Sequence, residues 1–132
     1  MELQHVNVKL FIEKPGEVDL AALIPVFQKW IEGQIFGGLL LDIADYSHLH
    51  AGPGVVLIGF DGDYSVDNTN NRLGVRYNRK AVLGGSNQNR LEQAMRAALS
   101  AFARLEAESR LEGKLRFDGR EIEVFINDRL LA

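Results

Sequence analysis

"GVVLIGFDGDYSVDNTNNRLGVRYNR", residues 54–79, decides the fold. Its opening run, Gly54 to Phe60, is short and continuously apolar, as in a strand buried on both faces or nearly so. Residues 63–79 then alternate on either side of an Asn-rich centre: Tyr64 and Val66 before it, Leu73, Val75 and Tyr77 after it. That is the pattern of a hairpin. Gly74 inside the second arm marks a bulge or the close approach of another backbone.

Toward the N-terminus, "GGLLLDIADY" (37–46) is a second short apolar run and predicts another buried strand, joined to the first through a corner set by Gly52-Pro53-Gly54. Further back, Leu20, Leu23, Ile24, Phe27 and Ile31 recur at helical spacing between Asp19, a good N-cap, and Gly33, a good C-terminal stop. Pro25 inside that segment predicts a kink. Phe27 and Trp30 suit a core or an interface. At the start, "HVNVKLFIE" (5–13) puts Val6, Val8, Leu10 and Ile12 on one side and His5, Asn7, Lys9 and Phe11 on the other, the period of a half-buried strand.

Toward the C-terminus, residues 89–109 predict a long helix with Leu91, Met95, Ala98, Leu99, Phe102 and Leu105 along its stripe and Asn89 and Glu92 spaced as a capping box. Its many alanines leave a smooth surface for close packing. In "KLRFDGREIEVFI", Asp118-Gly119 between alternating segments predicts a two-residue hairpin that sets Arg116 against Glu121 and Lys114 against Glu123. Consecutive strands with the helices set apart indicate a single α+β domain over residues 1–132: two layers, a mainly antiparallel sheet with two helices packed on one face. Such a sheet leaves its other face either polar or covered by a partner.

The 132-residue length suits one domain with its own core. Lys and Arg total 15 against 18 acids, giving a net charge of -3 without a basic block, which argues against nucleic acid. The absence of cysteine excludes disulfides, thiol catalysis and Cys-ligated metals. No apolar run approaches the roughly 20 residues that span a bilayer, so the expectation is a cytoplasmic protein with no membrane partner.

Three constellations carry chemical potential. Asp45, His48 and His50 supply two imidazoles and a carboxylate, a ligand set for zinc, iron or manganese. Without a flanking motif the plainer reading is a solvated loop. Asp61, Asp63, Ser65 and Asp67 repeat every second residue, but Val66 and Arg72 stand where a calcium loop needs Gly and Glu. Alternation of this kind reads as the solvent face of a strand, with Asp61 or Asp63 available as a general base if burial raised a pKa. In "RKAVLGGSNQN" (79–89), free N–H groups at Gly84, Gly85, Ser86 and Asn87 before a helix, with Arg79 and Lys80 nearby, form a candidate anion site. The plainer reading is a turn and a helix cap, since neither a Walker loop nor a dinucleotide fingerprint is present.

The run "LLLDIADYSHLHAGPGVVLIGFDGDYSVD", with "SRLEGKLRF" and "FINDRLLA", resembles a family of small bacterial proteins marked by "GPGV" and "GDY" segments. The resemblance implies no activity, substrate or cofactor, and it implies that relatives continue past Ala132. The expectation from the whole sequence is a non-enzymatic binding or protein-interaction module without a cofactor, forming a homo-oligomer or meeting a protein partner. The alternative is metal-assisted hydrolysis at Asp45, His48 and His50, with Asp61 or Asp63 as base.

Overall fold

The computed structural model of the chain describes residues 6–35, 39–46, 54–69, 72–80 and 84–126. The protein is an α+β domain in which β1 (Val6–Ile12), β2 (Leu40–Tyr46), β3 (Gly54–Gly59), β4 (Gly62–Asp67), β5 (Gly74–Arg79) and β6 (Phe117–Ile126) form one sheet. The strand order is β2-β3-β4-β5-β1-β6, and every neighbouring pair is antiparallel. Helix α1 (Leu23–Gly33) packs on β2 and β3, and α2 (Asn87–Ala107) packs on β1 and β5, sharing one apolar core with the sheet. Neither helix is long and apolar enough to cross a membrane.

Register assigns the faces, because residues directly opposite one another share a side of the sheet. Ile43, Leu57, Tyr64, Tyr77, Val8 and Val124 form one row across all six strands on the helix side. Ala44, Val56, Ser65, Arg76, Lys9 and Glu123 form a row on the other.

That other face is polar but not all solvent. Lys9 is 2% exposed and Asp67 1% exposed, and their side chains pair at 3.1 Å. Lys9 also donates to the Arg72 carbonyl at 2.7 Å, and Asp67 accepts from the Thr69 hydroxyl at 2.6 Å. The Arg72 guanidinium lies 3.7 Å from the centre of the Phe11 ring, so Arg72 lies over this cluster. Gly74 makes the crossing possible: a Cβ there would stand 2.7 Å from the Leu10 carbonyl oxygen and 2.8 Å from Lys9 Cε. The close approach that its place in the strand suggested is therefore found, whereas the solvent face expected for Ser65 and Asp67 is buried.

Other expectations change for local reasons. Asp19 caps a short 3-10 turn over Leu20–Ala22, accepting from Ala21 N at 3.1 Å, and α1 begins only at Leu23. Pro25 thus falls in the first turn, where no intrahelical bond is lost. The C-cap of α1 is Gln34 rather than Gly33: Gln34 takes a left-handed φ of 43° and its amide bridges the Ile31 and Leu40 carbonyls. Strand β2 is an edge strand with most of its side chains exposed or half-buried, not a doubly buried one.

On α2 the cap is Ser86, whose hydroxyl accepts from Asn89 N at 3.1 Å, and the buried stripe runs through Ala94, Ala98, Ala101, Phe102 and Leu105. Leu91 and Leu99, assigned to the stripe from the sequence, are exposed. The small residues win the core face because they let the helix approach the sheet closely. The Asp118-Gly119 hairpin does not form. Phe117–Ile126 is one strand pairing with β1, and the register shift between Leu10 and Ile12 falls opposite residues 118–121, so Asp118-Gly119 lies in an irregular part of the ladder. Asp118 instead closes a local turn onto Arg120 N at 3.0 Å.

Candidate ligand-binding cleft

Helices α1 and α2 are joined near the C-terminal end of α2, where Lys29 pairs with Glu108 at 3.6 Å. Beside α2 the helix side of the sheet holds a cleft of about 670 Å³. Its floor is the tyrosine pair of β4 and β5, Tyr64 and Tyr77, with ring centres 5.0 Å apart and planes tilted by 42°. One wall is α2, through Asn89, Gln93, Arg96 and Ala97; the facing wall is Leu39 and Leu40, held by the Gln34 amide, which receives Leu40 N at 3.0 Å. Asp61, on the turn between β3 and β4, closes one end.

A relay of hydrogen bonds fixes the floor. Arg79, 1% exposed, donates through Nη1 to the Arg90 carbonyl at 2.6 Å and to Gln93 Oε1 at 2.8 Å. That orients the amide so that Gln93 Nε2 donates to the Tyr77 hydroxyl at 3.4 Å. Gly62 leaves room for the ring: a Cβ there would come within 2.7 Å of Tyr77 Cε1. Burial, reinforced for Tyr64 by its neighbour Tyr77 and by Asp61, pushes the Tyr64 phenol far above its ordinary range. Burial raises Tyr77 as well, against the opposing pull of Gln93 and Arg79. Both phenols are therefore neutral at physiological pH and present O–H donors.

The residues singled out in the sequence separate. Asp61 lines the cleft, but Asp63 turns to the other face, pairing with Lys80 at 2.8 Å and accepting from Gly59 N at 3.3 Å. Asp45 lies opposite Val55 at the far end of β3 from Asp61, roughly 20 Å away at ~3.3 Å per residue. His48 and His50 lie outside the described residues, and among the described residues no group of three His, Cys, Asp or Glu side chains is placed to hold a metal. At the candidate anion loop, Ser86 is the helix cap, Asn87 accepts from Arg90 Nη1 at 2.9 Å, Gly84 borders open space, and Gly85 takes a positive φ of 93°. Arg79 and Lys80 are committed to α2 and to Asp63.

Sequence reasoning missed Tyr64, Tyr77, Gln93 and Arg96 as a group. The available signal was the register of the β4–β5 hairpin, which sets the two tyrosines directly opposite one another. Comparison with protein-family models, curated proteins and solved structures matched the chain to none of them.

Proposed function

We propose that the chain is a small-molecule binding module rather than an enzyme, with the cleft over Tyr64 and Tyr77 as its ligand site. The observation that carries this reading is the cleft itself: about 670 Å³, within the range of drug-sized ligand sites, with an aromatic floor and convergent polar groups. The neutral phenols favour binding over chemistry, since they donate hydrogen bonds but do not abstract protons near pH 7. The test is protein-observed NMR with a library of small organic fragments. Shifts should concentrate at Tyr64, Tyr77 and Gln93, and should vanish in Ala97→Trp, which fills the cleft from α2. Absence of such shifts in the parent protein, or their persistence in Ala97→Trp, refutes the reading.

A second reading, self-association, is favoured by one observation. Leu39, Leu41 and Phe60, the last 68% exposed, cluster at the end of edge strand β2, whose outer backbone pairs with no strand among the described residues. Light scattering that returns a strict monomer at high concentration removes it.

A further inference from the structure

Resting on the reading of the cleft as a ligand site, we propose that its ligand is a zwitterion the size of a dipeptide. Its amine meets Asp61, its carboxylate meets Arg96, and an apolar body lies on the tyrosine pair.

The charges make the case. Lys80 stands beside Asp61, donating its backbone N–H to the Asp61 carbonyl at 2.8 Å, yet sends its ammonium to Asp63. Among the described residues this leaves the Asp61 carboxylate at the cleft mouth without an ion pair or a side-chain hydrogen bond. It is near enough to both phenols to act on them electrostatically. Arg96 is likewise exposed on the α2 wall, and no carboxylate among the described residues pairs with it. The remaining charge of the lining, Glu92, accepts from Gln88 one helical turn away at 3.3 Å.

Asp61 at the mouth and Arg96 on the α2 wall, neither with an ion-pair partner among the described residues, suit a ligand with both charges, while Glu92 keeps its contact with Gln88. An α-amino acid carries its two charges on one carbon, whereas a dipeptide carries them on separate ends with a peptide group between. Asn89 and Gln93 supply donors and acceptors for that peptide group. Leu39, Leu40 and the tyrosine rings take apolar side chains.

Isothermal titration with the dipeptide Phe-Leu, its N-acetyl form and its C-terminal amide decides the matter. Each rim contact is a charge-assisted hydrogen bond, so each cap should weaken binding roughly tenfold. Asp61→Asn should erase the preference for the free amine, and Arg96→Gln that for the free carboxylate. Both positions are exposed, and unchanged circular dichroism and melting show that the variants fold. Capped and free dipeptides binding alike overturn the charge assignment. Failure of all three dipeptides while other fragments still shift Tyr64 and Tyr77 overturns the ligand class and leaves the cleft standing. Dipeptide binding that survives Ala97→Trp overturns the cleft reading instead.

Discussion

Asp67→Ala should be among the most destabilising single changes in the chain. The Asp67 carboxylate accepts from Lys9 at 3.1 Å and from the Thr69 hydroxyl and amide at 2.6 and 3.3 Å, and Arg76 Nε lies 3.7 Å away. Its removal leaves two cations at the same buried place, with the Arg72 carbonyl still accepting from Lys9. Removing one partner of a buried ion pair costs about 3–5 kcal/mol, about a fifth or more of the stability of an ordinary domain. Lys9→Met should be milder, about 2 kcal/mol, because Arg76 continues to compensate the carboxylate and the methionine chain occupies much of the same space. In urea denaturation followed by circular dichroism, a slope near ~2 kcal/mol/M turns the Asp67→Ala cost into a midpoint drop of roughly 1.5–2.5 M. The double variant should cost less than the sum of the two. A loss under about 1 kcal/mol for Asp67→Ala, or a larger loss for Lys9→Met, would refute the reasoning.

Three further outcomes follow from the same geometry. Gly62→Ala should destabilise by about 1–3 kcal/mol through overpacking, since its Cβ would lie 2.7 Å from Tyr77 Cε1 and 2.9 Å from the Asn78 carbonyl; the variant should also displace the Tyr77 ring resonances, and an unchanged Tyr77 spectrum contradicts the packing described. Burial raises the Tyr64 and Tyr77 phenols above their ordinary value of 10.0, so the folded state keeps protons there that the unfolded state releases. Stability is then intact below that value and falls as pH rises through it; tyrosinate absorbance should appear together with unfolding, and free titration of these phenols near 10 in a folded protein would count against the buried floor. Asp118, held by the Arg120 guanidinium and amide, titrates at about 2 rather than 3.8. What it contributes is present above the ordinary carboxylate value and is lost as pH falls toward 2; carboxyl-carbon NMR should show Arg120→Gln returning it toward normal.

The class of fold was legible because periodicity survives in any context: the alternation of β1, the Asn-rich turn between β4 and β5, and the length of α2 each depend only on local sequence. What failed was a choice between partners. Asp118-Gly119 is a strong hairpin signal, yet Phe117 to Ile126 finds a longer ladder on β1, and Phe117 packs on Phe102 with ring centres 5.0 Å apart. Tertiary pairing thereby overrides a turn preference. Leu91 and Leu99 look like core beside Ala94 and Ala101, and only the proximity of the sheet makes the smaller side chain the better fit. Lys9 and Asp67 are 58 residues apart, so nothing local announces that each will be buried by the other.

The cleft was illegible for the same reason, since its floor exists only once register is known and its width only once α2 and the Leu39–Leu40 wall are placed. Beside α2 the helix-side face of the sheet has a strip that side chains must fill or leave open. Here the strip carries the two tyrosines, and around it stand Gly59, Gly62 and Ala97, with no large apolar side chain aimed from α2. Gly59 and Gly62 are explained without a ligand, because a Cβ at either would meet backbone or a ring within 3 Å. Ala97 is not: it faces the open space, and a larger apolar residue would bury more surface at about 25 cal/mol per Å². Gln93 is held in place by Arg79 and extends to Tyr77 where an aliphatic chain would pack. Stability alone would close this gap: Ala97 leaves it open, and Gln93 furnishes hydrogen-bonding groups at its floor.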